Sequence, residues 1–157
     1  SMEGKQLWVL RQLPVSPQQV LRAKILINLL VLIPLVVVDA VILSLMLKLD
    51  VVGILLMVLN PIAYSIFIAV MGLYVNLKMP NLTWTSEAVV VNRSAASMVA
   101  SFVGLFGAVL PAIGVFFAGE YMLIASAGVT VLVFLLDILL YTLLMTNGAK
   151  TFATLAE

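Results

Sequence analysis

Four long apolar runs constrain the fold of this 157-residue chain more than any other feature of its sequence. They cover residues 25–47, 51–77, 98–117 and 121–145. A helix needs about 20 residues to cross roughly 30 Å of hydrocarbon, and each run is near or above that length. None of the runs alternates with the two-residue period of a barrel strand. A spanning segment outside a barrel must be helical to satisfy its own backbone, so the runs predict four transmembrane helices.

Composition supports a membrane environment. Apolar residues make up 64% of the chain and charged residues only 10%, against about 25% charged residues in soluble domains. A soluble domain of this size buries only about 70% of the surface that its chain exposes. The predicted fold class is therefore all-α, an integral membrane bundle of four transmembrane helices with an N-terminal interfacial helix.

Lys and Arg placement predicts the orientation of the bundle. If the N-terminus is cytoplasmic, seven of the eight basic residues lie on the cytoplasmic side and only Lys48 lies outside. Both termini and the loop 78–97 are then cytoplasmic, and the outer connections are the short turns 48–50 and 118–120. The seven inner residues are Lys5, Arg11, Arg22, Lys24, Lys78, Arg93 and Lys150.

The segment before the first run carries a helix start signal. Ser16 is followed by Pro17 and then by Gln19, which forms a capping box with proline at the first helical position. We expect one helix from Pro17 through residue 47. Residues 3–13 place Trp8 and several leucines among polar residues, which is typical of a helix lying at the membrane interface. The chain therefore divides into a cytoplasmic interfacial segment, 1–16, and a four-helix transmembrane domain, 17–157.

Three polar residues inside the spans are candidate functional residues, namely Asp39, Asn60 and Asp137. Ionisable groups in a membrane are costly and often form proton or cation sites. At 1.5 Å per residue the two acids differ by roughly 9 Å in depth, which disfavours a shared-proton pair. We favour structural roles for both acids. Asn60 precedes Pro61, and this pair predicts either a hinge or a packing kink.

Other residues in the spans predict contacts between helices. Gly104, Gly107 and Gly114 place small residues along the third span, which favours a close helix–helix contact. Interhelical hydrogen bonds are the expected role of the remaining polar side chains, which are Asn28, Ser44, Ser65, Ser101 and Thr130.

No residue set suggests catalysis. The chain has no His and no Cys, and it shows no phosphate-binding loop, metal-ligand spacing or nucleophile–base set. We therefore predict no catalytic residues, no metal site and no enzymatic activity. The net charge of +1 gives no reason to expect a nucleic-acid partner.

Residues 3–17 read EGKQLWVLRQLPVSP and continue to Ala23-Lys24 and Asn28. This run resembles the cytoplasmic segment of the permease subunits of bacterial type 2 ATP-binding cassette (ABC) exporters. The loop 76–84, NLKMPNLTW, is similar to the loop that precedes the next span in that family. The resemblance covers the first half of the chain, and the second half matches in hydropathy alone.

The resemblance implies a permease component, in the C-terminal part of a longer protein, that forms part of a translocation path in a bacterial plasma membrane. Its implied partners are the lipid bilayer, an ATP-binding cassette ATPase subunit, and either the remaining N-terminal permease half or a second permease copy. ATP would be bound by the ATPase subunit, with no cofactor in this chain. The implied coupling residues are Glu3, Gly4, Lys5, Trp8 and Arg11.

Two alternative functions remain open from the sequence. One is a small proton-coupled four-helix transporter in which Asp39 carries the proton. The other is a membrane scaffold subunit with no transport chemistry.

Overall fold

The protein is described here by a computed structural model covering residues 15–79 and 95–156, with side chains described as far as residue 153. The helices are α1 (Pro17–Met46), α2 (Val51–Lys78), α3 (Ala95–Phe117), α4 (Met122–Leu143) and α5 (Ala149–Ala156). A 3-10 turn, Gly119–Tyr121, precedes α4, and a π-helical turn, Leu144–Gly148, joins α4 to α5. Within the described ranges there is no strand.

Four helical stretches are long and apolar enough to cross a membrane. They are Pro17–Met46, Val51–Lys78, Ala95–Phe117 and Gly119–Ala153. The prediction of an all-α bundle with four spanning helices is confirmed. The interfacial helix expected before residue 16 lies outside the described residues.

The start of α1 follows the predicted capping box. The Ser16 hydroxyl accepts a hydrogen bond from the Gln19 backbone N–H at 3.3 Å, and the Gln19 side-chain oxygen accepts one from the Ser16 N–H at 2.8 Å. These two bonds satisfy backbone donors that a helix start leaves without partners. As predicted, α1 then continues into the membrane span without interruption, ending at Met46.

Short turns connect the helices within each pair. Between α1 and α2, Lys48 adopts a positive φ of 51°, and the Asp50 carboxylate accepts a hydrogen bond from the Gly53 N–H at 3.0 Å. That bond makes Asp50 the N-cap of α2. Between α3 and α4, the reversal uses Gly119 at a φ of 54°, a conformation that glycine adopts without steric cost.

The best-packed part of the bundle is the end at which α1 begins and α2 and α4 finish, which we call the basic end. Leu21, Val70 and Leu144 are almost completely buried there. This core also contains Ile25, Ala69, Leu77, Met145, Ala149 and Phe152. The basic end carries the cationic side chains Arg22, Lys24, Lys78 and Lys150.

The helical stretch at the C-terminus extends past the fourth apolar run. That run ends at residue 145, and helical structure continues through the π-helical turn into α5. The Gln18 side-chain amide donates a hydrogen bond to the Met145 carbonyl at 3.1 Å. The Lys24 ammonium lies 5.9 Å from the centre of the Phe152 ring. The stretch therefore continues because it packs against the first turns of α1.

The α2–α3 contact uses two of the three glycines predicted for it. A Cβ built on Gly104 would lie 3.6 Å from Ile68, and one built on Gly107 would lie 3.5 Å from Phe67. Tyr64 also donates a hydrogen bond across this contact to the Gly107 carbonyl at 3.2 Å. The third glycine, Gly114, does not belong to the contact, because a Cβ added there would meet no atom within 4 Å.

Candidate functional site

The coupling residues implied by the resemblance lie outside the described residues. These are Glu3, Gly4, Lys5, Trp8 and Arg11. The described chain begins after them, at residue 15. What it does show is how the helix that follows this segment is held at the basic end.

Asp39 lies on the exposed surface of α1, well inside the spanning helix. Its neighbours on the same surface are apolar: Leu35 is 61% exposed and Ile42 is 51% exposed. In a bilayer this surface faces lipid or another membrane protein. The carboxyl group is therefore placed on the outside of the bundle and does not enter its core.

Asp137 has the opposite environment. It is 4% exposed and lies on the buried side of α4, together with Thr130 and Val133. Within the described part of the chain, neither of its carboxylate oxygens has a hydrogen-bond partner. A buried carboxyl group without a partner is energetically costly. The two acids therefore occupy different environments on different helices.

Asn60 joins α2 to α4. Its side-chain amide donates a hydrogen bond to the Ser126 hydroxyl at 2.9 Å. The next residue, Pro61, lies inside α2, which remains a single helix from Val51 to Lys78. The Pro61 carbonyl accepts a hydrogen bond from the Ser65 hydroxyl at 2.7 Å.

Three of the polar residues that were expected to bond between helices bond within their own helix. Ser44 donates to the Val41 carbonyl at 2.8 Å, and Thr130 donates to the Ser126 carbonyl at 2.8 Å. Ser65 does the same with Pro61. Serine and threonine hydroxyls can reach the carbonyl of the preceding turn, so they need no partner on another helix.

A cleft that the sequence analysis did not identify opens between α1 and α2 near the basic end. Its volume is about 240 Å³, and its polar lining residues are Lys24, Asn28 and Asn76. Gly72 lies in its wall. The sequence signal for this cleft is the four-residue spacing of Gly72 and Asn76, which places both residues on one side of α2. Their proximity to Asn28 depends on how α1 and α2 pack.

Comparisons with protein-family models, with characterised proteins and with solved structures find no match to this chain. Its function must therefore be argued from its own residues and their geometry.

Proposed function

We propose that this chain is a membrane-spanning permease component of an ATP-driven ABC-type exporter, and that a separate ATPase subunit contacts it at the cytoplasmic side. The observation that carries the proposal is the continuity of α1 from its N-cap into the membrane span. The helix is capped at Ser16, directly after the segment that resembles a coupling segment, and it runs from there as one 30-residue element. At 1.5 Å per residue it is about 45 Å long, enough to reach across the bilayer.

The orientation required for this function is supported by charge. Four of the five described basic residues lie at the basic end, and Lys48 lies at the other. Basic residues in short loops favour the cytoplasm, and this tendency supports a cytoplasmic location of the basic end, where an ATPase would dock.

Packing at the basic end provides a route for coupling. Leu21 is fully buried in the core that includes Leu144. The hydrogen bond from Gln18 to the Met145 carbonyl links the first turn of α1 to the π-helical turn that follows α4. A force applied to the segment before Ser16 would therefore act on α1 and on the C-terminal helices together.

The test exchanges charges within residues 1–16, which we call the coupling segment. Glu3→Lys combined with Lys5→Glu keeps the net charge and reverses the local pattern. A docking surface should lose affinity, because like charges brought together across an interface are strongly unfavourable. We expect less ATPase to co-purify with the swapped permease than with the wild type.

The matched control is Gln6→Ala in the same segment, which leaves every charge in place and should recover as much ATPase as the wild type. Membrane binding of the segment depends mainly on apolar side chains, so neither variant should change it. If the swapped protein and the wild type recover equal amounts of ATPase, the coupling role is wrong.

Orientation can be tested separately because the chain has no Cys of its own. We expect Gly119→Cys to react with a membrane-impermeant thiol reagent in intact cells and Lys78→Cys to be protected. Opposite labelling would contradict the cytoplasmic location of the basic end.

Asp137 favours a second candidate function, proton- or cation-coupled transport. Its burial without a hydrogen-bond partner, described above, is typical of an intramembrane ion site. On this alternative, purified chain in vesicles takes up protons or cations and Asp137→Asn abolishes the uptake, whereas Asp39→Asn leaves it unchanged. Purified chain that shows no such uptake would exclude this function.

A further inference from the structure

The surface of α1 around Asp39 is unsuited to lipid. Asp39 is exposed on a spanning helix, and a carboxyl group facing the hydrocarbon interior is among the most costly arrangements in a membrane. Such residues normally face other protein or water. The described helices leave the surface around Asp39 exposed.

One side of α1, which we call the Asp39 side, combines this acid with other exposed residues. Asn28 lies 11 residues earlier, about three helical turns, and so projects from nearly the same side. Leu35 and Leu43 lie four residues to either side of Asp39 and are 61% and 46% exposed. The Asp39 side therefore carries polar groups at two depths, separated by apolar side chains.

The adjoining wall belongs to α2 and leaves room for a close approach. Asn28 lines the cleft that also contains Gly72 and Asn76. A Cβ added at Gly72 would meet no atom within 4 Å. Small residues at such positions let another helix come close, and the exposed Asn28 amide can hydrogen-bond to it.

We propose that a helix of a different membrane chain packs along the Asp39 side of α1, beside Gly72, and places a positively charged side chain against Asp39. Charge complementarity selects this partner, because an Arg or Lys would compensate the carboxylate in a medium without water. A second copy fits less well. Two-fold packing through this side would bring Asp39 against its own counterpart, and like charges repel.

The proposal requires that α1 to α4 lie in a bilayer and does not require the exporter function. The coupling role in the exporter proposal is wrong if ATPase recovery is insensitive to the charge swap. The partner helix is tested by a different measurement, the oxygen accessibility of α1, so the two outcomes are distinguishable.

The experiment compares oxygen accessibility at two spin-labelled positions of α1. Leu43→Cys lies on the Asp39 side. Val41→Cys is two residues away, about 200° around the helix, and Val41 is similarly exposed at 41%. Each labelled full chain is measured in polymer-bounded particles of its own host membrane and as purified chain in lipid vesicles.

We expect both labels to be accessible to oxygen in the purified chain. In the host-membrane particles, accessibility should fall several-fold at position 43 and stay unchanged at position 41. Equal values in the two preparations at position 43 would show that lipid covers the Asp39 side and would overturn the proposal. An oxidative disulfide between two Leu43→Cys copies would instead identify a second copy as the occupant and overturn it as well.

Two variants test the chemistry of the contact in the host-membrane particles. Asp39→Glu should preserve the protection at position 43, and Asp39→Asn should reduce it because the partner's positive charge loses its counter-ion. Equal protection in both variants would contradict a cationic partner.

Gly72→Phe should also expose position 43, whereas Gly128→Phe, at another site with no atom within 4 Å of an added Cβ, should not. If the label at position 43 stays protected from oxygen in Gly72→Phe, the partner helix does not pack beside Gly72 and the proposed location is wrong.

Discussion

The basic end and α3 hold their places in the bundle by different means. At the basic end, Leu21 and Leu144 are fully buried among residues of α1, α2, α4 and α5. In α3, Ala96 is the one described residue that is buried, and Phe102 and Phe116 are 60% and 70% exposed. Lipid tails are as apolar as leucine, so in a bilayer only close packing and hydrogen bonds hold helices together. The comparison indicates that the basic end is the rigid part of the bundle.

The largest effect should come from removing a core side chain at the basic end. Leu21→Ala should lower the free energy of unfolding by about 2–5 kcal/mol, because it leaves a cavity in a packed core. Phe116→Ala removes a larger side chain from an exposed position of α3 and should change stability by less than about 0.5 kcal/mol. Thermal unfolding in one mild detergent measures both. Equal losses would contradict the difference between the two regions.

A smaller effect should follow from adding a single methyl group at a glycine. The Cβ of Gly148→Ala would lie 2.8 Å from a methyl of Leu144 and 3.3 Å from one of Leu77. Both leucines are buried, so we expect a loss of about 1 kcal/mol from overpacking.

Gly114→Ala in α3 is the matched control for this substitution. It meets open space and should stabilise the helix by up to about 1 kcal/mol through its helix propensity. The same detergent unfolding measurement applies to both glycines. A destabilised Gly114→Ala would show that α3 is packed more tightly than its exposure indicates.

The smallest effect concerns the hydrogen bond between Asn60 and Ser126. Asn60→Ala should cost about 0.6 kcal/mol, the average for such bonds between membrane helices. Ser126→Ala should cost a similar amount, and the double variant should cost little more than either single one, because both remove the same bond. If the two losses of unfolding free energy add in the double variant, the Asn60 and Ser126 side chains do not interact.

Local signals in the sequence predicted the helix starts and the number of spans. The capping box at Ser16 and the lengths of the apolar runs each depend on neighbouring residues, so no tertiary information was needed. The continuation of helical structure past residue 145 could not be predicted from the sequence, because Thr146, Asn147 and Gly148 interrupt the apolar run. The helix continues there since Leu144 and Met145 pack into the core at the basic end.

The environments of Asp39 and Asp137 could not be read from the sequence. Each acid stands alone in an apolar run, so hydropathy treats them alike. Which side of a spanning helix faces the bundle depends on contacts with other helices, and these leave Asp39 exposed and bury Asp137. The coupling segment could be recognised only by resemblance, because no pattern of charges or apolar residues in it specifies a partner.

The two short turns have a consequence for biogenesis. Four residues separate α1 from α2, and a single residue, Ala118, separates α3 from the 3-10 turn before α4. Neither connection is long enough to cross a bilayer. We therefore expect each pair to enter the membrane as a helical hairpin during synthesis, and on the proposed orientation the turn containing Lys48 and Asp50 is translocated with its two opposite charges together.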